Sequence, residues 1–332
     1  MLKRQTVGKS PVLGNRVAKP FLLGEKPRGW LNRGVKPLVF RPKSLPPASP
    51  EKKRYGVLGF PVAHSLSPAM QEAGFQALGI TAEYLRVEIP PGDLANAMPS
   101  LRAAGFQGWN CTLPHKETMF ALCDETDENA RESKAVNTVT VSARGLGGTS
   151  TDADGWEEDI QAAWKLDIPT QRVLLLGCGG IGRTLAFRLA KRGCRQLTLS
   201  NRSSGKAIRL AEEIRQGAKF PVYLAGWERG PLAQAMKQVD LLIQATPLGL
   251  ADNEALPLAA ESLHKGIRVY DTVYRKDFTP LVRMAKSREI PARDGLGMLL
   301  HQGARSLSIW TGQPAPIPVM RTALEKAAGR IV

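Results

Sequence analysis

The chain has 332 residues and a mass of 36.1 kDa, with 43% apolar and 23% charged residues, which leaves room for two domains with real cores and excludes a small stapled scaffold. No stretch approaches the ~18 uninterrupted apolar residues of a membrane span, and no charged start, apolar block and cleavage site directs export, so a cytoplasmic protein without a membrane partner is expected. The formal net charge of +16 raises the question of a nucleic-acid partner, and its distribution argues against one.

Residues 1–54 hold fourteen Lys and Arg against Glu25 and Glu51, together with eight prolines from Pro11 through Pro50. They show neither helical nor strand periodicity and read as a basic, Pro-rich, disordered extension, which leaves a body of nearly ordinary charge. From Tyr55 short apolar runs alternate with helical patterns. Residues 55–59 (YGVLG) read as a buried strand, 68–78 as a helix opened by proline, 82–89 (AEYLRVEI) as a second strand and 94–104 as a helix. A strand near 108–112, a helix after Pro114 and a hairpin across 138–148 follow. From Arg172 the pattern repeats: a strand (RVLLL), a glycine-rich turn, a helix to Arg192, a strand (QLTLS), a helix over 204–215, and strands in DLLIQA and RVYD. Strand and helix in alternation imply mostly parallel sheets covered on both faces, in two α/β domains that meet near 152–164. Cys111, Cys123, Cys178 and Cys194 form no C-x-x-C pair and no cluster with zinc spacing, so neither a disulfide framework nor a metal site is expected.

In LLLGCGGIGR, Gly177, Gly179 and Gly182 form G-x-G-x-x-G between an apolar run and an amphipathic stretch. In that setting the glycines allow a tight turn, close approach to a pyrophosphate and close helix packing, with phosphate at the helix N-terminus. The next strand ends at Ser200-Asn201-Arg202-Ser203, with Lys206 beyond and no Asp or Glu to take ribose hydroxyls. A cation pair there suits a 2′-phosphate, so NADP is expected rather than NAD.

Small polar residues concentrate at expected strand ends in the first domain: Ser65 and Ser67, Thr112 and Lys116, Asn137, and Asp152. Ligands of open α/β sheets sit beyond the strand carboxyl ends, where these loops could converge on one polyhydroxylated molecule. Each residue also has an ordinary role, Ser67 and Asp152 as helix N-caps, Asn137 as a turn residue and Lys116 as a solvated charge.

Taken in order, the blocks resemble the shikimate dehydrogenase family from about Tyr55 to the C-terminus. They are G-x-P-x-x-H-S-x-S-P (59–68), N-x-T-x-P-x-K (110–116), A-V-N-T (135–138), T-D-x-x-G (151–155), the glycine turn, N-R-S (201–203), A-T-P-L-G (245–249), D-x-V-Y (271–274) and D-G-L-G-M-L-x-x-Q-G-A (294–304). The resemblance implies reversible NADPH-dependent reduction of 3-dehydroshikimate to shikimate, a small-molecule substrate; with no exposed apolar stripe in the sequence, a monomer or homodimer is expected. After the extension over 1–54, it implies a substrate-binding domain over 55–154, a Rossmann-type NADP domain over 155–294, and helices over 295–332 that return to the substrate domain. Carried over by motif, Lys116 and Asp152 would be the catalytic pair. Ser65 and Ser67, helped by Thr112 and Tyr274, would hold the substrate carboxylate, and Asn137 and Gln302 the ring hydroxyls. The glycine turn, with Gly177, Gly179, Gly180 and Gly182, would take the pyrophosphate. Asn201, Arg202, Ser203 and Lys206 would surround the adenosine phosphate, with Thr246, Gly295 and Met298 near the nicotinamide. No arginine stands in the substrate blocks, and neutral donors suffice for a carboxylate in a closed cleft.

Three positions depart from the family pattern: Ser150 where Asn is usual, Gly182 where Ala is common, and Gln71 where many members have His. Ser150 is expected to alter the support of Asp152 with activity retained. The alternatives are an NAD-using quinate/shikimate dehydrogenase, a paralogue of different substrate, and, from another class, a regulatory NADP-binding protein whose basic arm binds polyanions.

Overall fold

A computed structural model describes the backbone of Leu38–Val39 and residues 51–250 and 256–331. Strand β1 (Leu38–Val39) precedes β2 (Lys53–Gly59), α1 (Ser67–Ala77), β3 (Ala82–Glu88), α2 (Leu94–Ala103), β4 (Phe106–Cys111) and α3 (Lys116–Leu122). Next come β5 (Glu125–Thr126), α4 (Glu128–Ser133), β6 (Thr138–Ser142) and β7 (Gly145–Thr149). Among the described residues these strands form one sheet in the order β1-β3-β2-β4-β6-β7-β5. β1, β3, β2 and β4 run parallel, and the expected hairpin β6–β7 joins β4 antiparallel.

Helix α5 (Asp152–Trp164) leads to the second half: β8 (Arg172–Leu176), α6 (Gly180–Lys191), β9 (Gln196–Ser200), α7 (Ser204–Gly217), β10 (Val222–Leu224), α8 (Arg229–Met236), β11 (Leu241–Gln244), β12 (Arg268–Asp271), α9 (Pro280–Lys286) and β13 (Ala292–Arg293). Its strands lie in the order β10-β9-β8-β11-β12-β13 and every described pairing is parallel. That is the doubly wound order of dinucleotide-binding sheets, whose strand order reverses at β8 beside the glycine turn. β8 reads as a continuous apolar run because helices cover both of its faces, and Val173 to Leu176 are buried.

Helices α10 (Leu296–Thr311) and α11 (Ile317–Ala327) turn back to the first half, where Leu300, Ala304, Leu307, Met320 and Leu324 share a core with Met70 and Phe75 of α1. α5 approaches α10 closely: a Cβ on Gly155 would lie 2.5 Å from the Gln302 backbone nitrogen. The glycine of the T-D-x-x-G block therefore lets α10 carry Gln302 up to Asp152's helix.

Three expectations change. The first long strand begins at Lys53, ahead of the boundary drawn at Tyr55, because Arg54 is buried, donating to Glu83 Oε1 at 2.6 Å and to the Ala104 carbonyl at 2.8 Å. Leu38–Val39 extends the sheet beside β3, while the rest of the expected extension up to residue 50 lies outside the described residues. Ser67 and Asp152 are the first residues of α1 and α5, not N-caps; Leu66 and Thr151 occupy the cap positions without side-chain cap bonds. Helices α4, α8 and α9 span six to eight residues, too short for a 3.6-residue period to register.

Candidate functional site

The loops after β2 and β4 leave adjacent parallel strands at their carboxyl ends and stay joined, with Phe60 N donating to Leu113 O at 3.0 Å and Thr112 N to Leu58 O at 2.9 Å. The β4 loop ends at Lys116, the first residue of α3, and the β7 loop ends at Asp152, the first residue of α5. A carboxylate suits a helix N-terminus and an ammonium does not; here the two meet. Lys116 Nζ donates to Asp152 Oδ2 at 2.6 Å, with the side chains only 11% and 5% exposed. Lys116 is thus no solvated surface charge.

Asn137 binds this pair to the rest of the site. Its Nδ2 is shared among Asp152 Oδ1 (3.1 Å), Thr151 Oγ1 (2.9 Å) and Gln302 Oε1 (3.0 Å), and its Oδ1 accepts from Thr151 N at 2.8 Å. Asn110 supports it from β4: Nδ2 donates to the Asn137 carbonyl at 3.0 Å and to Ser306 Oγ at 2.9 Å, while Tyr84 OH donates to Oδ1 at 2.7 Å. Such a connected, buried network holds each member in one rotamer. Ser150 is fully buried; its N–H donates to Asp127 Oδ1 at 3.2 Å, and its hydroxyl has no hydrogen-bond partner among the described residues, Asp152 included.

Ser65 and Ser67 stand with their hydroxyls 3.1 Å apart. Tyr274, beside the Leu66 backbone amide, is pushed up to about 12 by burial and so stays a neutral hydroxyl donor. The turn that carries it is organised by Asp271, which accepts from Thr279 Oγ1 at 2.6 Å and Val273 N at 3.0 Å, with burial raising its pKa to about 7. Thr112 sits at the joint of the two strand-end loops, its methyl within reach of a Cβ placed on Gly59 (2.5 Å).

On the cofactor side, Gly177 has φ +101°, and a Cβ there would meet the Ala245 carbonyl at 2.7 Å. Gly179 faces open space, and Gly180 opens α6 with Lys116 carbons 3.7 Å from where its Cβ would stand, so the phosphate-binding turn abuts the buried pair. Asn201 braces the turn, its Oδ1 accepting from Cys178 N at 3.0 Å and its Nδ2 donating to Ser203 O at 2.9 Å. Arg202, Ser203 and Lys206 are exposed at the start of α7. Thr246 caps the turn after β11, where its Oγ1 accepts from Leu248 N at 3.2 Å, and Gly295 leads into α10. Met298, in the first turn of α10, is buried in a core shared with Trp156 and Tyr270.

A cavity of about 410 Å³ opens between the two halves, lined by Glu117, Phe120 and Lys134 on one side and Cys178, Arg183, Lys206, Arg209 and Glu213 on the other. Four cations against two carboxylates give it a positive field suited to an adenosine phosphate. Lys134 and Arg209 were missed from sequence: Arg209 follows Lys206 at helical spacing, but Lys134 comes from the other half and carries no signal of its own. The open glycine turn and exposed cations fit a phosphorylated dinucleotide. Among the described residues no cluster of His, Cys, Asp or Glu could hold a metal, and no helix is long and apolar enough to cross a membrane.

Comparison with known proteins agrees in three consecutive pieces. Residues 57–139 match the shikimate dehydrogenase substrate binding domain, 160–249 the shikimate / quinate 5-dehydrogenase family, and 295–325 the shikimate 5′-dehydrogenase C-terminal domain. A shikimate dehydrogenase (NADP(+)) of Rubrobacter xylanophilus is 40% identical over 287 residues, 85% of this chain and 98% of that protein. Its counterpart in Methanopyrus kandleri is 36% identical over 271 residues, 81% of this chain and 93% of that protein. Among solved structures, shikimate 5-dehydrogenase from Thermus thermophilus in complex with NADP(H) and shikimate superposes with a TM-score of 0.73 at 36% identity, covering 83% of this chain and 99% of that one.

Proposed function

The chain belongs to the shikimate dehydrogenase family, and we propose that it catalyses the reversible NADPH-dependent reduction of 3-dehydroshikimate to shikimate. The observation that carries the reading is the buried Lys116–Asp152 pair at 2.6 Å, set against the glycine turn at Gly180 and tied through Asn137 to Gln302. Residues 55–154 then serve as the substrate-binding part, 155–294 as the NADP-binding part and 295–332 as the returning helices. A cytoplasmic location is supported by four cysteines that are all free.

NADPH, when bound, supplies the hydride. A ring ketone that is being reduced gathers negative charge on its oxygen, and a proton donor aimed at that oxygen lowers the barrier. Lys116 holds that proton at Nζ, and Asp152 fixes the side chain and keeps its charge compensated in a site nearly closed to water. Asn137 and Gln302 read ring hydroxyls beside the pair, Ser65, Ser67, Thr112 and Tyr274 hold the carboxylate end, and these contacts fix which carbon faces the cofactor. Arg202 and Lys206, with Asn201 and Ser203, take the 2′-phosphate.

The test is NADP⁺ reduction by purified protein with shikimate, with quinate and without substrate, repeated with NAD⁺. Shikimate-dependent turnover that prefers NADP⁺ is expected. Faster reduction of NAD⁺, or preference for quinate, would replace this reading with the quinate/shikimate alternative.

A further inference from the structure

Strand β3 points Tyr84, Arg86 and Glu88 to one side, as the two-residue strand period requires, and each supports a loop of the site. Tyr84 holds Asn110, Glu88 Oε1 accepts from Val62 N at 3.2 Å, and Arg86 clamps the serine loop. Arg86 Nε and Nη2 both donate to the Ser65 carbonyl, at 2.9 and 2.7 Å. The guanidinium is partly buried, and among the described residues it makes no salt bridge. Burial lowers its pKa from the ordinary arginine value, and Glu72 on α1 is the carboxylate that acts on it electrostatically, without forming a salt bridge. A partly buried cation with no anion at salt-bridge distance gains from a further negative charge nearby, and an anion delivered to Ser65 and Ser67 would supply one beside the loop that Arg86 holds.

We propose that Arg86 is the charge counterpart of the substrate carboxylate: its fork fixes the Ser65 carbonyl, and its charge makes the Ser65–Ser67 end of the cleft select an anionic ring substrate over a neutral one. The inference rests on the shikimate dehydrogenase reading, and it supplies the arginine that the motif blocks lack. Arg86 acts through the serine loop and is a positioning and specificity residue, not a catalytic one.

The experiment compares shikimate with its methyl ester, which keeps the ring and hydroxyls but not the negative charge, in wild type, Arg86→Gln and Arg86→Lys. In Arg86→Gln the KM for shikimate should rise roughly 10- to 100-fold, as for loss of a charged hydrogen-bonding partner. The KM for the ester should rise much less, through the loosened loop alone, so preference for acid over ester collapses while the KM for NADP⁺ stays within about threefold. Arg86→Lys, which keeps the charge and loses the fork, should keep most of that preference. If acid and ester weaken equally in Arg86→Gln, or the preference is unchanged, Arg86 only shapes the loop and the proposal is overturned. Should the glutamine variant not fold, Arg86→Met, neutral and of similar length, decides by the same ratio. Wild-type protein that binds NADP⁺ but does not oxidise shikimate would overturn the functional reading and this inference with it; active wild type with an unchanged ratio overturns this inference alone.

Discussion

At Gly182 an alanine would place a Cβ 2.0 Å from the Gly177 carbonyl oxygen, a backbone atom that cannot swing aside. In this chain the position demands glycine, because Gly177 is itself pinned against Ala245 and Thr246. Gly182→Ala is expected to lower stability by about 1–3 kcal/mol, in the range of overpacked sites, and to raise the KM for NADP⁺ as the turn shifts. Chemical denaturation together with cofactor titration checks both effects, and an unchanged midpoint would show that the turn yields freely. At the same scale lies what one sequence conceals. Lys116, Asp152 and Asn137 were legible because loop motifs carry them at strand ends. The contribution of Thr151 was not, because its backbone N–H and hydroxyl act only once β6 and α10 are packed beside it. Arg86 was hidden for the same reason: on a strand it is one polar residue in an alternating run, and only the fold turns it toward Ser65.

Among elements, α4 acts as a strap between the halves. It ends at Lys134 in the left-handed region (φ 49°), a conformation that costs a side-chain-bearing residue roughly 1 kcal/mol or more. From there Lys134 Nζ reaches Glu213 Oε2 on α7 at 3.1 Å, while Arg183 of α6 joins Glu213 and donates to the Ser133 carbonyl at 2.5 Å. The Arg183 guanidinium, with Lys134, holds the Glu213 carboxyl down at about 2. Because the folded value lies below the ordinary 4.5, the stabilisation is present at neutral pH and is lost as pH falls from about 5 toward 2. Glu213 and Lys134 are solvent-accessible although Arg183 is largely covered, so Glu213→Gln should cost about 1 kcal/mol at pH 7, and its gap from wild type should close on acidification. Urea unfolding across that range reads the gap; one that widens in acid would contradict the assignment. α6, α7 and the strands around them were readable in the sequence because 3.6-residue and apolar-run patterns are long there. α4 is too short to register, so the strap and its cations appear only in three dimensions.

Across the whole molecule, the halves converge because two helices serve both. α5 begins at Asp152 in the site and ends in the core of the second half, where Trp156 and Ile160 are fully buried. α10 runs from that core at Met298 to the first half at Leu307, passing Gln302 through the site on the way. A buried lysine, its carboxylate partner and the phosphate-binding turn are thereby held together by the packing of two cores rather than by a loop. If that arrangement exists to deliver a proton to a ketone as it is reduced, the proton carrier cannot be spared. The most direct measurement is shikimate-dependent NADP⁺ turnover by Lys116→Ala, with NADP⁺ binding measured in parallel to establish an intact cofactor site. A fall in kcat of about 10²- to 10⁴-fold with cofactor binding unchanged is expected; turnover within a few-fold of wild type would contradict the assignment of the chemistry to Lys116.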